Sequence, residues 1–210
     1  MPRPSKHRRR NKAIATGRRP NLNKMPPRWI HLLLLLSWLL IPAMADAQAY
    51  NPMFGDKQNQ FALYAAGSTG EGDLSRMGST LQIQEDLGLV ELQYAQPSTF
   101  FRLPARSSIH VSQIIGLDKT QAVFGLMQEF LLVPNFEHFY AGLGLGIYIK
   151  ERKIDGRVDS AFTFGEKLFL GYRFDNDFGL ELYWRHFSNG DITPVNAAYN
   201  FVGLGLVKNF

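Results

Sequence analysis

Hydrophobic positions in this chain recur with a period of two. Between Phe139 and Ile149 the odd positions are Phe139, Ala141, Leu143, Leu145, Ile147 and Ile149, while the even ones are Tyr140, Gly142, Gly144, Gly146 and Tyr148. Successive side chains of a strand point to opposite faces, so one face here is continuously apolar and the other is glycine with aromatic ends. The same alternation places Phe178, Leu180, Leu182 and Trp184 opposite Glu181, Tyr183 and Arg185. Near the C-terminus it places Val202, Leu204, Leu206 and Phe210 opposite Gly203, Gly205 and Asn209, with Lys208 interrupting the apolar side. After Gln48 no segment has the length and 3.6-residue period of a substantial helix.

Eight strands are predicted, near residues 59–68, 87–97, 100–116, 119–131, 138–149, 161–174, 177–188 and 199–210. Turn-forming clusters separate them at Gly70–Asp73, Leu117–Lys119, Pro134–Asn135, Asp155–Gly156 and Asp175–Asp177. Segments of about ten residues, apolar on one face and small or polar on the other, suit a barrel whose outside meets lipid. The expected fold is all-β, an eight-stranded antiparallel up-and-down transmembrane barrel. A soluble barrel or sandwich is the competing architecture. Three features favour the membrane: the even number of long alternating segments, which closure in lipid requires; aromatics near strand ends at Phe100, Phe101, Tyr140, Tyr148, Trp184 and Phe210, as in interfacial girdles; and a terminal aromatic that resembles the assembly signal of bacterial outer-membrane proteins. A barrel of eight strands is narrow enough to be filled by its own side chains, so a diffusion pore is not expected.

The beginning of the chain changes the charge argument. Residues 1–24 form a basic extension, read as a long n-region or a start codon assigned too early. Residues 25–47 read as a signal peptide, with Arg28, an apolar run from Ile30 to about Ile41, and Ala45-Asp46-Ala47 as the cleavage site. The apolar run is too short to span a bilayer as a helix. Residues 48–210 are then the barrel domain. The full chain carries 23 Lys and Arg against 18 Asp and Glu, but 10 of the basic residues precede Gln48 along with only Asp46. That leaves 13 basic against 17 acidic residues and a net charge of −4. The basic excess lies in the leader, so no nucleic-acid partner is implied. With no cysteine, disulfides and thiolate metal sites are excluded.

Candidate chemistry lies in Trp184-Arg185-His186-Phe187-Ser188-Asn189-Gly190. His186 and Ser188, two apart on a strand, share a face, and it is the apolar one. A hydroxyl and an imidazole facing lipid need partners. Bonding each other is the simplest solution, and it would also activate the serine. The next strand is antiparallel and places Asn200 on the same face, where its amide oxygen could fix the imidazole tautomer. Asn189, Gly190 and Asn196 of the intervening loop are candidate donors to an oxyanion, and Asp191 is an alternative acid. The bland readings make His138 interfacial, His110 lumenal or structural, and Glu166, Arg173, Glu181 and Arg185 fillers of the barrel or its rim. The glycine run 142–146 lacks the strand-to-helix turn of a phosphate cradle.

His186-Phe187-Ser188-Asn189-Gly190, with Pro194-Val195-Asn196 and a terminal aromatic strand, resembles the lipid A 3-O-deacylase (PagL) family. Phe164-Gly165-Glu166-Lys167 and Gly171-Tyr172-Arg173-Phe174 extend the resemblance over 161–210; over 55–160 it rests on strand count and pattern. The resemblance implies an eight-stranded outer-membrane barrel with a serine-hydrolase site on its outer wall, acting on lipid A of lipopolysaccharide. It implies His186 as base, Ser188 as nucleophile, and Asn189 and Asn196 as the paired asparagines near the oxyanion. The chain departs from the family in two places: Asn200 stands where characterised members have glutamate, and Val195 separates Pro194 from Asn196. The expected function is a cofactor-free serine esterase of the outer membrane that removes an ester-linked acyl chain from lipid A, with a homodimer left open. The alternative is a non-catalytic small barrel, adhesive or membrane-stabilising, that has lost the triad acid. A soluble periplasmic lipid carrier is a third class, separable by its recovery without detergent.

Overall fold

The computed structural model describes residues 50–70, 86–101, 103–116, 120–132, 137–151 and 158–210. The leader and four of the five predicted turn clusters fall wholly or largely outside them. Eight strands follow in order: β1 (Gln60–Gly70), β2 (Gly88–Phe100), β3 (Leu103–Ile115), β4 (Thr120–Leu131), β5 (Phe139–Lys150), β6 (Phe162–Arg173), β7 (Phe178–Ser188) and β8 (Tyr199–Asn209). Each pairs antiparallel with the next, and β8 pairs with β1, closing the barrel. Strands of 11–13 residues exceed the 9–11 tilted residues that cross a hydrocarbon core.

Closure sorts the alternating residues into an outside and an inside. Phe61, Leu63, Leu92, Ile109, Val111, Phe124, Leu126, Leu180, Leu182, Leu204 and Leu206 project outward and are exposed. A contiguous apolar belt of this kind is the requirement of a membrane-spanning barrel and a liability in water.

The inside is polar and full. Arg106 forks onto two carboxylates, with Nε 2.6 Å from Glu129 and Nη1 2.6 Å from Glu181. Lys167 Nζ lies 2.8 Å from Glu129 and 3.2 Å from Glu181. Tyr64 and Tyr140 donate their hydroxyls to Glu181 at 2.7 and 3.0 Å. A second layer joins Arg185 to Glu91 and to the Tyr148 hydroxyl. Buried charges persist only when paired and hydrogen-bonded, a condition met here by two cations against two anions in the first layer.

Two expectations about aromatic residues are corrected. Tyr140 and Tyr148 are lumenal, fully buried and not part of a girdle. Their rings lie over glycines: a Cβ at Gly171 would collide with Tyr140, and one at Gly125 or Gly165 with Tyr148. The glycine face of the barrel is therefore the floor on which lumenal tyrosines lie. Phe101 and Phe210 are exposed near strand ends as expected.

The end of the barrel bearing the start of β1 and the finish of β8 is capped by residues 51–55. Met53 and Phe54 are buried there, and the Met53 carbonyl accepts from Asn209 Nδ2 at 2.9 Å and Gln60 Nε2 at 3.3 Å. Arg173 Nε donates to the Pro52 carbonyl. Three connections lie at this end: β2 to β3, β4 to β5 and β6 to β7. The C-terminal tip of β7, the start of β8 and the longer connections lie at the other.

Candidate active site

His186 and Ser188 lie on the outer wall at the end of β7, opposite the capped end. The β7–β8 register places His186 directly across from Asn200. His186 Nδ1 and Asn200 Oδ1 are 2.7 Å apart, and Asn200 Nδ2 donates to the Gly70 carbonyl at 3.1 Å. That second bond settles the roles. A carbonyl only accepts, so the amide nitrogen must face Gly70 and the amide oxygen must face the imidazole. His186 then carries its proton on Nδ1, leaving the Nε2 lone pair free to take a proton. Gly70 lies beyond a break in the β1–β8 register at Ser68/Gly70 and has φ +98°, a conformation that suits glycine. This local irregularity presents the carbonyl that orients Asn200.

Trp184, two residues before the base, stacks on it with ring centroids 5.6 Å apart and planes 19° from parallel. Both are buried (5% and 6% exposed), although Leu180 and Leu182 on the same face are half exposed. The outer wall is thus covered at the site and bare below it. The buried Trp184 indole N–H has no hydrogen-bond partner among the described residues.

The expected bond between His186 and Ser188 is not formed: among the described residues Ser188 makes no hydrogen bond to the imidazole. The imidazole is instead satisfied by Asn200 and held flat against Trp184.

The loop 189–198 is built by its asparagines. Asn189 is fully buried; its Oδ1 accepts from the Asp191 N–H at 2.9 Å, and its Nδ2 donates to the Val195 carbonyl at 3.0 Å and to the Thr193 hydroxyl. Asn196 Oδ1 accepts from the Asn189 N–H at 2.9 Å, and its Nδ2 reaches Asp191 Oδ1 at 3.0 Å. Counting donors leaves little to spare. Both amide hydrogens of Asn189 and its backbone N–H are committed within the loop, so its side chain is a scaffold and not an oxyanion donor. Asn196 keeps a second amide hydrogen. The N–H of Gly190 (φ +58°), two residues after the serine, has no partner among the described residues. Asp191 is exposed and tied to Asn196; the structure brings Asn200, and not Asp191, to the base. Asn189→Ala is expected to cost about 1–3 kcal/mol in stability, because buried loop groups lose their partners; urea unfolding of the refolded barrel measures it.

A second Ser/His/Glu trio, unrecognised from sequence, lies in the lumen. Ser108 Oγ is 2.8 Å from His110 Nε2, and His110 Nδ1 is 3.0 Å from Glu91 Oε1. Its geometry is tighter than that on the outer wall, but it is buried throughout, and Arg185 also binds Glu91. No acyl ester can reach it, so the trio is a packing network of the lumen. The signal in the sequence is Ser108-x-His110, the same two-residue spacing in reverse order.

Glu166 is also relocated. It does not line the barrel or its rim: it stands on the outer face of β6, in register with His186 from the side opposite Asn200. Arg173, Glu181 and Arg185 do face inward, as expected of barrel-filling groups.

The chain matches known proteins in sequence pattern and in fold. The sequence model of "Lipid A 3-O-deacylase (PagL)" matches residues 83–209. Among solved structures, the chain is similar to the outer membrane enzyme PagL (TM-score 0.56, 13% identity, covering 72% of this chain and 99% of that one). It is also similar to Neisserial surface protein A (0.47, 12%, 72% and 97%) and to the Yersinia pestis outer membrane protein Ail (0.43, 12%, 72% and 99%). No curated protein matches it. The family match spans more than half of the chain and includes His186, Ser188, Asn189 and Asn196. The chain therefore belongs to the lipid A 3-O-deacylase (PagL) family.

Proposed function

We propose that the protein is an outer-membrane serine esterase that removes the 3-O-linked acyl chain of lipid A. The observation that carries this reading is the His186–Asn200 bond on the lipid-facing wall, which leaves the second imidazole nitrogen free on the strand face that also bears Ser188. Its position is chemically apt, since the acyl chains of the substrate already lie in the bilayer. The enzyme has only to hold the ester at headgroup depth beside the pair, so orientation does the work of a pocket. The longer connections at the site end fit an extracellular orientation.

In this reading His186 Nε2 takes the proton of Ser188 Oγ as the oxygen attacks the ester carbonyl. The Gly190 N–H and the remaining amide hydrogen of Asn196 face the developing oxyanion. The imidazolium returns the proton to the departing sugar oxygen, leaving an acyl-serine. Water, deprotonated by the same imidazole, then releases the fatty acid and restores Ser188. Asn200 holds the tautomer throughout, but as a neutral amide it stabilises the imidazolium less than a carboxylate would.

The test is mass spectrometry of lipid A from cells expressing the protein or its Ser188→Ala variant. One 3-O-acyl chain should disappear only with the serine present. An unaltered lipid A in both, with the barrel folded in the membrane, overturns the reading in favour of a non-catalytic barrel. Asn200→Glu is expected to raise kcat/KM about tenfold by adding charge at the Nδ1 edge. A loss of activity there would show that the amide's bond to Gly70 matters more than the missing charge.

A further inference from the structure

Glu166 stands apart from the rest of the outer face of β6. Its neighbours on that face are Phe162, Phe164, Leu168, Leu170 and Tyr172, all apolar or aromatic. The carboxylate is half-buried, and among the described residues it makes no hydrogen bond and no ion pair. An unpaired carboxylate on a lipid-facing wall is unfavourable, and such groups in membrane proteins call for a functional reason. Sheet register supplies one. Glu166 is the direct cross-strand partner of His186 on one side, as Asn200 is on the other. Direct partners on one face have Cβ atoms roughly 4.5–5.5 Å apart. The base thus lies between a neutral amide, which fixes its tautomer, and a carboxylate, which carries charge.

Resting on the esterase reading above, we propose that Glu166 supplies through space the negative charge that Asn200 lacks, stabilising the imidazolium form of His186 while Ser188 is acylated. Orientation and charge, which one carboxylate provides in a Ser-His-acid triad, are here divided between the two strands flanking the base. Glu166 acts through His186 and touches no reacting atom, so it is a positioning residue. The site isolates this effect well. On β8 the row beside His186 holds Asn200 and Val202, and on β1 it holds Gly70. Its own strand contributes Trp184 and Ser188 on that face, and the loop contributes Asp191, which is bound to Asn196. Glu166 is therefore the one charged group facing the imidazole from the packed strands among the described residues.

The experiment is a double-mutant cycle on the full barrel, refolded in detergent and assayed on extracted lipid A across pH. Glu166→Gln should lower kcat by about 10–100-fold with KM nearly unchanged, and shift the acid limb of the rate profile to lower pH. Glu166→Asp should recover most of the rate. In the Asn200→Glu background, where the charge is restored from the other side, Glu166→Gln should cost threefold or less. Equal losses in both backgrounds, or no loss in the first, would overturn the proposal. A second readout does not depend on turnover: by NMR, the titration midpoint of the His186 ring should move to lower pH in Glu166→Gln. An unmoved midpoint also overturns the proposal. If neither the wild type nor any variant deacylates lipid A, the esterase reading fails, while the NMR titration still decides whether Glu166 and His186 are coupled.

Discussion

Replacing Ser188 with alanine is expected to reduce deacylation by about 10⁴-fold or more while leaving the barrel folded. The size follows from the roles in the site. A nucleophile and its base act as a unit, and removing either from a serine hydrolase removes nearly all of the covalent pathway, on the order of 10⁴–10⁶ in kcat. What survives is the orientation of the ester and its oxyanion donors toward water. The change is structurally mild, because Ser188 is part-exposed at the end of β7 and its hydroxyl makes no hydrogen bond among the described residues. Heat-modifiable gel mobility should be unchanged, while release of fatty acid from lipid A falls to background. A Ser188→Ala protein with a tenth or more of wild-type activity would exclude the serine mechanism. His186→Gln should fall to the same level, and the double variant no further, since the two losses are one loss.

The second large effect concerns the lumen. Glu181→Ala is expected to destabilise the barrel by about 3–5 kcal/mol, the cost of leaving a buried charge without its partner. Glu181 accepts from Arg106, Lys167, Tyr64 and Tyr140. Removing it leaves two cations facing Glu129 alone, in a space with no exposure to water. Urea unfolding in lipid vesicles, followed by tryptophan fluorescence, measures the change. Replacing Arg106 and Glu181 together by apolar residues of similar volume should cost less than Glu181→Ala alone, because desolvation is then relieved on both sides. A single variant with unchanged stability would mean that solvent enters the lumen and takes over the role of Glu181.

These two effects come from opposite faces of one strand pattern. Odd residues of β7 face the lumen, where Glu181 and Arg185 bind its polar network and Tyr183 packs on the Tyr64 ring, and even residues (Trp184, His186 and Ser188) line the outer-wall site. Stability and chemistry are thereby separated across a single sheet: a variant on one face should leave the other face's readout nearly unchanged.

The alternation of period two is a local property, and it was legible in the chain before any folding. It yielded eight strands with ends close to those observed, the apolar outside, and His186 and Ser188 on a common face. It also placed Asn200 on the apolar face of the next strand, in step with Val202, Leu204 and Leu206. Which residue lies beside which, however, is decided by register around the whole closed sheet, where every strand is constrained by two neighbours. Register between neighbouring strands put Glu166 beside His186 and assembled Ser108, His110 and Glu91 from β2 and β3, while closure brought the Gly70 carbonyl to Asn200 and joined Glu181 to Arg106 and Tyr64 across the lumen. Hydrogen-bond competition made the remaining decisions: the Gly70 carbonyl turned the Asn200 amide oxygen toward His186, and the loop carbonyls took up Asn189. The chain by itself determined the faces, since side-chain direction alternates residue by residue. The tertiary structure decided the partners, since those depend on the register each strand takes with its neighbours and on which strands closure brings to face each other.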